Sequence, residues 1–185
     1  MRNKNILILP LIMIITFGFS TNLIFNCKSE KKNSELTVTS KAFAESEMIP
    51  AKYTCDAENI SPEISWSKGP DNTKTYALIC DDPDAPSKVW VHWVVYNIPL
   101  DVLELNEKFP ADSSYKNIVN GINDSGTLGY SGPCPPKGTH RYNFKIYALD
   151  CTLNLKAGSS KADLKTAMKD HVLANGMLTG KYKRK

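Results

Sequence analysis

A strong excess of either charge is missing from this sequence. Its 185 residues carry 23 lysines and arginines against 19 acids, a formal net charge of +4. That balance lacks the clustered basic face of a nucleic-acid binder, and no nucleic acid is expected as a partner. The terminal Lys181-Tyr182-Lys183-Arg184-Lys185 reads as a solvated tail, with weak attraction to anionic headgroups as its alternative. None of the five cysteines stands in C-x-x-C spacing, which argues against a zinc knuckle or a thioredoxin-type redox site. The G-x-S-x-G elbow of serine hydrolases is also missing, because Ser131 in "GYSGP" precedes a proline-rich loop rather than joining a strand to a helix. No internal repeat or low-complexity segment is present.

The amino terminus has a pattern of its own. Arg2 and Lys4 make a positive start, Ile6 to Phe19 is almost entirely apolar, and Ser20, Thr21 and Asn22 precede Leu23-Ile24-Phe25-Asn26-Cys27. This is the layout of a secretory signal. The position of Cys27 resembles a bacterial lipobox, in which the cysteine is acylated and becomes the new N-terminus, although Phe25 and Asn26 stand where small residues are usual. Cleaved soluble export and an uncleaved anchor are the alternatives, since Ile6 to Phe25 is about long enough to span a bilayer. All three readings export the domain. Residues 1–26 are therefore expected to be a signal peptide of lipoprotein type. Residues 27–35, with "KSEKKNSE", form a polar tether, and residues 36–185 form the domain. The expected location is a bacterial membrane-anchored lipoprotein on the periplasmic or surface face. Losing residues 1–26 removes Arg2, Lys4 and no acid, so the net charge falls to about +2. The remaining chain suits one ordinary domain that buries roughly 70% of its unfolded surface. Export permits disulfides, and Cys55, Cys80, Cys134 and Cys151 allow three pairings among which sequence does not choose.

Strand signals dominate the domain. "LTVTS" from Leu36 alternates, and "TYALIC" from Thr75 is a buried run between turn residues. Val89 to Ile98 sets Val89, Val91, Trp93 and Val95 on one face and Trp90, His92, Val94 and Tyr96 on the other. Both faces are largely apolar, which predicts a central strand. "YNFKIYAL" from Tyr142 alternates an apolar side with a wetter one. Gly/Pro-rich stretches separate these runs, the pattern of a β-sandwich or barrel. One helix is predicted near 161–174: Ser160 is a good N-cap, Asp163 completes a capping box, and Leu164, Ala167, Met168, His171 and Val172 make one stripe. Asn175-Gly176 would stop it. His171 on that stripe is expected to be a core histidine with one hydrogen bond.

Three segments concentrate polar chemistry: Asp81 to Pro86, His92 with its neighbours, and "GYSGPCPPKGTHRYNF" from Gly129 to Phe144. Prolines stiffen the third and glycines bend it, so a strand mouth beside it can hold side chains in fixed places. Asp82, His92 and His140 could form a hydrolytic centre or a three-ligand metal site. Hydrolysis lacks an obvious nucleophile, and Cys134 is read as a disulfide or structural thiol.

The DPDAP run, the His92-Trp93 pair and the Gly-Pro-x-Pro-Pro-x-Gly-x-His-Arg-Tyr run together resemble phosphatidylethanolamine-binding proteins, also called Raf kinase inhibitor-like proteins. The bacterial YbhB/YbcL-type branch is the nearer match. "IPAKYTCDAENISPEISW", "GINDSGTLGYSGPCPP" and "AMKDHVLANGMLTGKY" also fit it, so the likeness spans roughly residues 36–183; Ala57 departs from the usual glycine. The resemblance implies a mainly-β antiparallel β-sandwich with short peripheral helices. It also implies one small pocket for a small anion or phosphorylated headgroup. Carried over by position, that pocket is lined by Asp82, His92, His140 and Tyr142, with Pro135 and Pro136 in its wall and Asp84 and Pro86 in a supporting turn. Imidazoles, a phenol and backbone N–H groups would supply donors. Asp82 would orient a histidine by accepting from its second nitrogen. Such contacts predict roughly micromolar to millimolar affinity for bare phosphate. No catalysis, cofactor or metal is expected. A homodimer is suggested by bacterial relatives, and inhibition of a serine protease or other hydrolase through the pocket rim is the alternative function.

Overall fold

The computed structural model describes residues 34–112 and 117–185. The expected signal peptide, Cys27 and most of the tether lie outside those residues. The elements in chain order are β1 (Ser34–Glu35), β2 (Val38–Thr39), a 3-10 turn (Ala51–Tyr53), β3 (Ile64–Trp66), β4 (Thr75–Asp82) and β5 (Trp90–Pro99). Then follow β6 (Glu104–Leu105), β7 (Val119–Asn120), β8 (His140–Leu149), α1 (Lys161–Ala167) and β9 (Val172–Tyr182). A six-stranded sheet has the order β1-β9-β8-β4-β5-β7, and a three-stranded sheet has the order β2-β3-β6. Among the named strands of the described residues, the pairings are antiparallel except β1 with β9. The mainly-β sandwich expected from the sequence is the observed fold. Ser34 and Glu35, read as the end of the tether, instead pair with Ala174 and Asn175 at the sheet edge.

The large sheet is apolar on both faces, which explains the near-continuous hydrophobic runs of β4 and β5. Its inner face, with Leu78, Cys80, Trp93, Val95, Phe144 and Ile146, packs on Val38, Ile64, Trp66 and Leu105 of the small sheet. Its outer face, with Ala77, Ile79, Val91, Val94 and Tyr96, packs on Leu153, Leu164 and Met168.

One irregularity positions the site. Cys80 pairs with Trp93 and Asp81 with Val91, so His92 is an extra residue in β5. This β-bulge breaks the strict alternation expected of Val89–Ile98. Trp93 and Val95 enter the inner core while Val91, Val94 and Tyr96 enter the outer one. His92 meets the inner-face ring of Tyr142 with centroids 5.1 Å apart. It therefore shares a side with Trp93, not with Val94.

The helix is shorter than its apolar stripe suggested. The capping box forms: Ser160 Oγ accepts from Asp163 N, and Asp163 Oδ2 accepts from Ser160 N at 2.9 Å. The helix ends at Ala167, however, and Asp170 takes a left-handed φ of 66°. Val172 onward is strand, so Asn175-Gly176 lies inside β9 rather than stopping a helix. His171 is exposed and not in the core; its Nδ1 meets Asp150 Oδ1 at 2.7 Å. The inner positions of β9 include Gly176 and Gly180, which hide its two-residue period from a hydrophobicity reading. Backbone contact requires glycine at 176, because a Cβ there would stand 2.0 Å from the Leu36 carbonyl oxygen.

Candidate functional site

Adjacent ends of β4, β5 and β8 bring Asp82, His92, His140 and Tyr142 to one mouth of the inner face, all buried. The Gly/Pro loop closes over them and is anchored at several points. Cys134 forms a disulfide with Cys55, 79 residues away, which resolves the pairing left open by the sequence. Cys80 and Cys151 are free thiols. Cys55 N donates to Pro133 O at 3.1 Å, and Tyr130 Oη donates to Tyr53 O at 2.8 Å. Gly132 N donates to Asn59 Oδ1 at 2.8 Å. Position 132 admits only glycine without displacement, since a Cβ would lie 2.4 Å from Tyr53 O.

Each site imidazole is held through Nδ1. His140 Nδ1 donates to Asp82 Oδ2 at 2.7 Å, the orienting pair expected of Asp82. His92 Nδ1 lies 2.6 Å from Ser131 O. A carbonyl only accepts, so that nitrogen carries the hydrogen. Ser131 N also donates to His92 O at 2.9 Å, so the loop grips His92 from both sides. Burial lowers the pKa of His92 below 6.5, outweighing the Ser131 carbonyl and the charges of Asp82, Asp124 and Asp81, which act to raise it. The structure thus alters one expectation. Neither ring has a free N–H in its neutral form; Nε2 donates only after a second proton arrives.

Tyr142 Oη is buried without a hydrogen-bond partner. Burial, followed by the charge of Asp82, pushes its pKa far up, so it remains a hydroxyl at any physiological pH. A buried hydroxyl without a partner costs about 1–3 kcal/mol, and a polar guest or water would remove that penalty.

The three acids of the DPDAP region have separate tasks. Asp82 Oδ1 accepts from Asp84 N at 2.7 Å, which shapes the turn. Asp84 accepts from Arg141 N, Nε and Nη2 at 2.9, 2.9 and 2.6 Å, and the Arg141 guanidinium holds its pKa down to about 2. Asp81 points to the other face, where Lys145 and Lys161 donate to it at 2.7 and 2.5 Å. It ties α1 to the sheet and takes no part in the site.

The resulting cavity measures about 330 Å³ and is lined by all six expected residues, Asp82, His92, Pro135, Pro136, His140 and Tyr142, and by Pro86. Asp84 is not in the lining and acts through the turn. Trp90, Ser125, Ser131, Gly132 and Cys134 also line it and were not anticipated as site residues. Ser131 was invisible as a site residue because its backbone carbonyl, not its side chain, makes the contact. Rigid apolar walls, two imidazoles and one hydroxyl suit a small polar guest at the base and an apolar or aromatic contact at the rim.

Comparison with known proteins identifies the family and agrees with the fold. The family model for phosphatidylethanolamine-binding protein matches residues 39–183. A UPF0098 protein of the archaeon Methanothermobacter thermautotrophicus is 54% identical over 150 residues, spanning 80% of this chain and 99% of its own length. The crystal structure of a phosphatidylethanolamine-binding protein homologue, CT736 of Chlamydia trachomatis, superimposes with a TM-score of 0.75 at 38% identity, covering 83% of this chain and 100% of that one. YbcL of Escherichia coli gives a TM-score of 0.77 at 34% identity, covering 82% and 100%. The relatives thus include archaea as well as bacteria. With folds that superimpose over the domain and a family match across nearly all of it, this chain belongs to the phosphatidylethanolamine-binding protein family.

Proposed function

We propose that the chain is an exported, membrane-tethered binding protein whose cavity holds phosphate or a phosphorylated headgroup without transforming it. The observation that carries the reading is the buried, unpartnered hydroxyl of Tyr142, a residue that lines the same cavity as His92 and His140. A hydroxyl and two imidazoles around a rigid pocket match an oxyanion's acceptors when the rings are protonated. Absence of turnover is supported by the lining: Cys134 is tied up in a disulfide, and Ser131 Oγ pairs with Ser125 Oγ at 3.1 Å rather than with a histidine. Export is supported by the disulfide, which persists in oxidising compartments. Titration of the intact chain with inorganic phosphate, followed through the imidazole NMR signals, tests the binding. Both His92 and His140 should shift saturably, and rings unmoved up to tens of millimolar would contradict it. For the tether, Cys27→Ser should move the chain from the membrane to the soluble fraction; unchanged partition would exclude acylation as the anchor.

A further inference from the structure

The hydrogen-bond polarity of the cavity says more about its guest than its size does. His92 donates through Nδ1 to the Ser131 carbonyl, so the nitrogen left to the guest, Nε2, is a bare acceptor in the neutral ring. His140 is arranged likewise, with Nδ1 on Asp82. The two rings differ in their counter-charge. An imidazolium at 140 would sit against a carboxylate, whereas one at 92 would sit against an uncharged carbonyl in a buried position. The acids of β4 and of the loop near His92 are occupied: Asp81 by Lys145 and Lys161, Asp82 by His140, and Asp124 by Lys88. The other residues of the cavity beside it are His140 and Tyr142 on β8, whose ring meets the His92 imidazole edge-on.

Resting on the reading of the cavity as an oxyanion site, we infer that it selects guests that bring their own proton, inorganic phosphate and phosphomonoesters, over phosphodiesters and sulfate, and that His92 sets this preference. An unprotonated oxyanion offers only lone pairs, and lone pair against lone pair repels at Nε2. A P–OH group donates to that nitrogen instead, while Tyr142 Oη donates to an anionic oxygen. The complex then contains one proton more than neutral protein plus fully ionised guest, wherever that proton rests between oxygen and nitrogen. Inorganic phosphate keeps a P–OH group in both of its neutral-pH forms, whereas a monoester, with a second pKa of about 6, keeps one on about a tenth of its molecules at pH 7 and can regain it at modest cost. Sulfate and phosphodiesters have none to give, and must wait for His92 to be protonated from solvent. Burial resists that step.

Sulfate matches phosphate in size, so it isolates the proton from shape. The intact chain is titrated by NMR at pH 7 with inorganic phosphate, sulfate, phosphoethanolamine and glycerophosphoethanolamine. Phosphate should bind about tenfold tighter than sulfate, and the monoester severalfold tighter than the diester. The sulfate gap should narrow as pH falls below 6.5 and solvent supplies His92 with its second proton more readily. His92→Gln supplies an N–H without a second proton and should narrow the gap at pH 7. Equal affinity for phosphate and sulfate at pH 7 in the native chain would overturn the inference while leaving an oxyanion site in place. If no probe moved either imidazole at pH 5 or 7, the oxyanion reading itself would fall.

Discussion

Tyr142 is where stability and binding pull apart. Its hydroxyl is buried and unpartnered, so Tyr142→Phe removes a group that destabilises the empty fold and donates to the guest. Melting temperature should stay level or rise, with a gain of up to about 1 kcal/mol, while phosphate affinity falls about tenfold. A large loss of stability would show that the hydroxyl has a structural partner. His92 gives a second test. Burial lowers its folded pKa below the unfolded 6.5. Below pH 6.5 the unfolded chain therefore takes up a proton that the folded chain resists. Its contribution is intact above that pH and lost as pH falls toward the folded pKa. Chemical denaturation at intervals from pH 7.5 to 5 should show stability declining with acid in ligand-free protein, with a flatter profile in His92→Gln. The carboxylate of Asp84, held to about 2 by Arg141, acts only at much lower pH and does not confuse the measurement.

At the scale of elements, the site depends on a bulge and a stapled loop. The bulge in β5 brings His92 to the inner face beside Trp93, a position that strict alternation assigned to the opposite side. Nothing in the one-dimensional pattern marks a bulge here, because apolar residues flank His92 on both faces. The helix–strand boundary was hidden for a related reason. Leu164, Ala167, Met168, His171 and Val172 fall at helical spacing, but the last of them pairs with Leu149. Long-range pairing with β8 overrode the local pattern. The Gly/Pro loop was legible as rigid, and its staple to Cys55 emerged only in three dimensions. Replacing both Cys55 and Cys134 by serine opens a long loop, and the chain-entropy estimate of the loss is about 4.5 kcal/mol. The double variant should melt lower by an amount consistent with that figure. It should also bind phosphate more weakly, since Pro135 and Pro136 line the cavity beside the disulfide. Unchanged affinity at a temperature where the variant stays folded would show that the anchors at Gly132 and Tyr130 suffice.

For the whole molecule, the long ordered motifs made the family and the sandwich readable, and the match over residues 39–183 bears them out. The membership of the cavity was readable too, because Asp82, His92, His140 and Tyr142 lie in those motifs. Its polarity was not, because it depends on the backbone carbonyl to which His92 is turned. An oxyanion bound at this mouth would lie against His92, His140 and Tyr142. A crystal structure of the domain grown with saturating phosphate tests this placement most directly. One phosphate is expected in the cavity, with oxygens within about 3.2 Å of His92 Nε2, His140 Nε2 and Tyr142 Oη. Phosphate bound only elsewhere on the surface, with the cavity holding water alone, would contradict it.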